Sequence, residues 1–104
     1  MNFNKQLNQI QKSAGGFTWE KGRFAGERVL KTTNGSAQLI IELVDGELSI
    51  ARGHTNKSAR GKGKGLFIRA IPIYAALRSK NVKKVMHESA FLNASQRNKY
   101  HNVP

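Results

Sequence analysis

Arg60-Gly61-Lys62-Gly63-Lys64-Gly65 alternates three cations with three glycines, and the apolar run from Leu66 to Leu77 follows at once. Glycine brings backbone amides up to a ligand with no side chain in the way. Lysine and arginine supply positive charge, and a helix starting here would aim its unpaired amides at the same point. The run therefore reads as a cradle for a phosphate group, and what flanks it decides both the fold and the identity of that phosphate.

Downstream, Leu66 to Leu77 is apolar almost all round, with Arg69 the only charge. That suits a buried helix with Arg78 and Lys80 at its negative end. Pro72 interrupts it, and a proline inside a helix removes one hydrogen bond at a cost of about 3 kcal/mol unless a kink is accommodated. One kinked helix is the favoured reading. The alternative makes Leu66 to Ile71 a strand and begins a helix at Pro72, where proline is tolerated as the first residue. Val82 to Glu88 then reads as a strand, and Asn93 to Tyr100 as a polar helix capped by Asn93 or Ser95.

Upstream, Phe3, Leu7 and Ile10 are spaced as one helical face over residues 3 to 13, and Gly15-Gly16 ends the pattern. Phe17-Thr18-Trp19 is rich in strand formers, with a turn expected at Lys21-Gly22. Glu27 to Thr32 alternates loosely, and Ala37 to Val44 is a nearly continuous apolar run suited to a central strand. Glu47 to Arg52 alternates polar with apolar, and His54 to Ala59 reads as a polar loop. The turn dipeptides Asn34-Gly35 and Asp45-Gly46 between these runs predict an antiparallel meander. The fold class is α+β, an α/β sandwich: N-terminal helix, meander, then helix-strand-helix.

The 104 residues suffice for one domain with a single core. No apolar run approaches the roughly 20 residues that span a bilayer, so no membrane partner is expected. The polar start Met1-Asn2-Phe3-Asn4-Lys5 lacks a signal peptide's character. Without cysteine there is neither a disulfide framework nor a thiolate metal site, the histidines show no metal spacing, and the cytoplasm is the expected compartment. The formal charge is +12. Bases and acids nearly cancel before Arg52, whereas beyond it only Glu88 opposes a long series of cations. Such a one-sided half points to an anionic ligand or a polyanionic partner, an acidic protein or nucleic acid.

Two nucleotide motifs are excluded by single positions. A P-loop needs Ser or Thr after its Gly-Lys, and Gly65 is followed by Leu66. The dinucleotide fingerprint counted from Gly61 would need glycine at Leu66, and it would need a parallel opening strand. What fits is Arg-x-x-Gly-x-Gly, as Arg60, Gly63 and Gly65, after a meander and before a buried helix. Here the chain resembles the GCN5-related N-acetyltransferase superfamily, in which such a segment wraps the pyrophosphate of acetyl-coenzyme A between the fourth strand and the next helix. Asn81-Val82-Lys83-Lys84-Val85 resembles the family's lead-in to its fifth strand, and Asn93 stands seven residues before Tyr100. The resemblance covers the second half of the chain and, loosely, the meander. Against the family pattern, the sequence ends at Pro104 before the last two strands, and before the Gly-Phe that usually follows the tyrosine. The region ahead of the meander is shorter than usual. The resemblance is thus to a minimal or truncated core, whose missing edge a homodimer could supply.

The resemblance implies an acyltransferase that moves an acetyl group from acetyl-coenzyme A to an amine on a macromolecular acceptor. Arg60, Gly61, Lys62, Gly63, Lys64, Gly65 and Asn93 would hold coenzyme A, and Tyr100 would protonate the departing thiolate. An amide near Ile50 to Arg52 would face the oxyanion. Glu88, the carboxylate of the basic half, is the candidate base, with His87 and His54 behind it; an ion pair with Lys83 or Lys84 is its structural alternative. A different class of function is a nucleic-acid-binding module without chemistry. Arg52, Lys57, Lys83, Lys84, Arg97 and Lys99 would then contact phosphates beside the glycine-lysine run, with Phe67, Phe91 or Tyr100 available to stack. A small inhibitor of a partner enzyme also suits the size.

Overall fold

The computed structural model of the protein describes residues 2–56 and 63–87. Its elements are α1 (Phe3–Ala14), β1 (Phe17–Lys21), β2 (Glu27–Thr32), β3 (Ala37–Val44), β4 (Glu47–Thr55), α2 (Lys64–Leu77) and β5 (Lys84–His87). The strands form one sheet in sequence order, antiparallel from β1 to β4, with β5 parallel to β4. The fold is α+β, with the expected meander and β3 at its centre.

Period-two burial divides the sheet into two faces. Phe17, Leu30, Ala37, Leu39, Ile41, Leu48, Ile50 and Val85 turn inward, against Phe3 and Leu7 of α1 and Ile68, Ile71, Ala75 and Ala76 of α2. Charged and polar positions such as Glu20, Lys31, Glu42 and Glu47 alternate with them on the opposite face. Asp45 (φ 51°) and Gly46 (φ 81°) both lie in the left-handed region, as a tight two-residue hairpin turn between β3 and β4 requires. The Asn2 side chain caps α1 by accepting from the Lys5 amide at 2.9 Å. A second free amide of that helix end, at Phe3, donates to Asn81 Oδ1 at 3.0 Å and ties α1 to the approach to β5.

The structure departs from the sequence reading in four places. His54 and Thr55 belong to β4, not to a loop: pairing with Gln38 and Ala37 supplies ladder bonds that the polar composition did not announce. Val82 is buried just ahead of β5 rather than within it. β1 runs on through Lys21, so the turn occupies residues 22 to 26. Pro72 sits inside one helix, in agreement with the favoured reading. That helix is not buried all round, because Ala70, Tyr74 and Leu77 form an exposed stripe.

The irregularity that matters most lies in β4. Ile41 faces Ile50, but Ile40 faces Arg52, which makes Ala51 the extra residue of a β-bulge. Simple alternation would put Arg52 on the inner face with Leu48 and Ile50. The bulge shifts the parity by one, sends Arg52 outward and leaves Gly53 facing the helices.

Candidate functional site

α2 begins at the glycine-lysine run. Gly63 is its N-cap, with φ 79° and ψ 2°, and as a glycine it has no side chain with which to cap the helix. A residue with a Cβ would be strained in this left-handed conformation. The Gly63 carbonyl accepts from the Phe67 amide at 2.9 Å, closing the first turn. Amides of a helix's first turn have no intrahelical carbonyl to bond, and no acidic residue occupies this one. Among the described residues, no atom lies within 4 Å of a Cβ placed on Gly63.

Two further glycines press the end of β4 against the start of α2. A Cβ on Gly65 would stand 2.9 Å from Thr55 Oγ1. A Cβ on Gly53 would lie 3.3 Å from a terminal nitrogen of Arg69. Gly65 and Arg69 are four residues apart on one helix face. The guanidinium of Arg69 is thereby laid along β4, on the inner side of the strand that leads into the run.

On the outer side of the same strand end, Arg52 and His54 line an open cleft of about 350 Å³ with Gln38, Ile40 and Gly53. Arg52 and His54 come from alternate positions of β4 beyond the bulge, and Ile40 of β3 forms an apolar wall. The last third of β4 thus has a cation on each side, Arg69 of α2 inside and Arg52 outside.

Of the candidate coenzyme-binding residues, the structure places Gly63, Lys64 and Gly65 together at the start of α2. Arg60, Gly61, Lys62 and Asn93 lie outside the described residues, as do the catalytic candidates Glu88 and Tyr100 and the phosphate contacts Lys57, Arg97 and Lys99. Of the remaining nucleic-acid candidates, Arg52 and Lys84 share the outer sheet face but stand toward opposite ends of β4. Lys84 pairs with Glu47 at the start of β4, and the amides of Lys83 and Lys84 both donate to the Gly46 carbonyl. Arg52 lies toward the other end of that strand. Phe67 is not a stacking platform: it packs edge-to-face on Phe17, ring centroids 6.4 Å apart, and joins the core. Arg69 is the site residue that the sequence reading passed over, although its place as the lone charge in an apolar helix was the signal for it. Among the described residues no group of three or more His, Asp or Glu could hold a metal ion, and no helix is long and apolar enough to cross a membrane.

No family model matches the chain, and no curated protein matches it. Among solved structures, a nourseothricin acetyltransferase is similar over 74% of this chain and 47% of that one, with a TM-score of 0.48 and 16% sequence identity. The chain therefore spans about half the length of that enzyme. A likeness at this level carries no weight for activity, which has to be read from the residues themselves.

Proposed function

We propose that the chain binds acetyl-coenzyme A in the manner of the GCN5-related N-acetyltransferases and transfers the acetyl group to an amine on a macromolecular acceptor. The observation that carries this reading is the placement of the glycine-lysine run. It connects β4 in sequence to the N-terminus of α2, where Gly63 is the N-cap, and α2 leads back to a strand parallel to β4. Amides of Gly63, Lys64 and Gly65 would hold the pyrophosphate, with Arg60 and Lys62 adding charge.

Transfer proceeds by attack of the neutral acceptor amine on the thioester carbonyl. The new C–N bond forms as the C–S bond breaks; the amine loses a proton and the departing thiolate takes one. The oxyanion formed on the way needs a backbone donor. Ala51 has no partner in the β3–β4 register and is the strand position offered for it. Glu88 as proton acceptor and Tyr100 as proton donor complete the proposal, with Asn93 as a further contact to coenzyme A. Arg52 and His54 on the outer cleft suit an acceptor that is itself acidic.

Thermal melting with and without ligand tests the reading. Coenzyme A at millimolar concentration raises the melting temperature by several degrees, because a ligand that binds only the folded state stabilises it by mass action. Pantetheine, which lacks the pyrophosphate, gives no shift. Equal shifts with both would remove the pyrophosphate from the account, and no shift with either would end it.

A further inference from the structure

At the opposite end of the sheet from Gly63, the β1–β2 hairpin carries Gly22-Arg23-Phe24-Ala25-Gly26. Phe24 is 64% exposed, the highest value among the exposed large apolar side chains of the described residues. It borders an open cleft of about 450 Å³ whose walls include Asn4, Lys21, Arg23, Glu27 and Arg28. The exposed phenylalanine thus shares this cleft with three cations, Lys21, Arg23 and Arg28.

The hairpin is held rigidly. Arg28 Nε donates to Asn4 Oδ1 at 2.8 Å, and its Nη1 donates to the Gly26 carbonyl at 2.7 Å. Its guanidinium lies 5.4 Å from the Phe3 ring centre. Half-burial lowers the pKa of that guanidinium, which starts so far above neutrality that the charge is kept. Glu27, the one carboxylate on the cleft, is engaged: its Oε1 accepts from the Arg23 amide at 3.0 Å and its side chain folds over Gly22. Glu42, paired with Glu27, lies on the outer sheet face, away from Lys21 and Arg28, which pair on the helix side.

The other aromatic side chains of the described residues are occupied. Phe3 and Phe17 are buried, and Phe67 packs on Phe17. The Trp19 indole donates to Asn8 Oδ1 at 2.8 Å. Arg78 lies 4.5 Å over the Tyr74 ring. Phe24 is the one with its ring presented freely.

We propose that this hairpin is a contact for single-stranded nucleic acid, with Phe24 stacking on a base and Lys21 and Arg23 on backbone phosphates. An exposed aromatic ring with flanking cations is the chemistry that sequence-tolerant single-strand binding uses, and around this cleft Lys21, Arg23 and Arg28 outnumber the one carboxylate, Glu27. One phenylalanine is too little apolar area to anchor a membrane, which argues for the nucleic acid over an anionic lipid surface. The site is separate from the α2 terminus and does not depend on acetyl transfer.

Fluorescence anisotropy with a labelled oligouridylate of about 20 nucleotides, longer than one such site, tests the proposal. Phe24→Ala weakens binding by about five- to a hundredfold, the range for loss of one stacked base, and Phe24→Trp keeps it. Lys21→Ala and Arg23→Ala each reduce the slope of log affinity against log salt by about 0.7. Melting temperatures of the Phe24 variants stay close to the wild type, since the side chain is mostly exposed and outside the core. Binding unaffected by Phe24→Ala, or weakened equally by Ala and Trp, would overturn the stacking contact. So would phosphatidylserine vesicles that need Phe24 when the oligonucleotide does not.

Discussion

The guanidinium of Arg69 rests against the backbone of Gly53: a Cβ at position 53 would stand 3.3 Å from Arg69 Nη2 and 3.3 Å from Leu39 Cδ1. Helix and strand approach this closely because the bulge at Ala51 turns a glycine, and not an arginine, toward α2. Gly53→Val inserts three carbons between a guanidinium and a core leucine. Overpacking of this kind costs about 1–3 kcal/mol, and each kcal/mol lowers the melting temperature of a domain this small by about 4–8 °C. Thermal unfolding of the variant checks it.

The contact between Gly65 and Thr55 predicts a coupling with a definite sign. Gly65→Ala meets the Thr55 hydroxyl at 2.9 Å and destabilises the wild-type chain. Removing that hydroxyl in Thr55→Ala clears the space. There Gly65→Ala is neutral or stabilising by up to about 1 kcal/mol, the helix preference of alanine over glycine. A double-mutant cycle by urea unfolding reads the coupling directly.

At Gly63 the backbone and the charge can be separated. Asparagine and aspartate tolerate the left-handed conformation better than other residues, so Gly63→Asn and Gly63→Asp lower stability alike, by about 1 kcal/mol. Only the aspartate places a negative charge where the pyrophosphate is proposed to bind. Gly63→Asn keeps most of the thermal shift given by coenzyme A, and Gly63→Asp loses it.

Local chemistry made much of the fold legible. Asp45-Gly46 and Asn34-Gly35 fixed the hairpins, and the apolar spacing of Phe3 and Leu7 marked the buried face of α1. The tertiary exceptions escaped. Nothing in the alternation of Glu47 to Arg52 betrays a bulge, because its cause is the pairing of β4 with β3. His54 and Thr55 look like loop residues until Ala37 and Gln38 pair with them. Pro72 did not escape: the apolar run around it already favoured one helix, and the packing of Ile68, Ile71 and Ala75 on the sheet offsets the proline's local cost. At the site, the glycine-lysine run announced a phosphate. The nearness of Gly53 to Arg69 and of Gly65 to Thr55 depends on contacts across the chain that no spacing encodes. Phe24 was equally silent, since a phenylalanine in a turn is recognised as exposed only once the hairpin around it is built.

The central claim is that the amides at the start of α2 hold the pyrophosphate of coenzyme A. A ¹⁵N–¹H correlation spectrum of the whole chain, titrated with coenzyme A and then with acetyl-coenzyme A, tests it most directly. The account predicts that the amide resonances of Gly63, Lys64 and Gly65 move with both ligands. Ala51 or Arg52 moves further when the acetyl group is present. Resonances at these positions that stay in place at saturating ligand, or that move no more than those of residues 22 to 26, would contradict it.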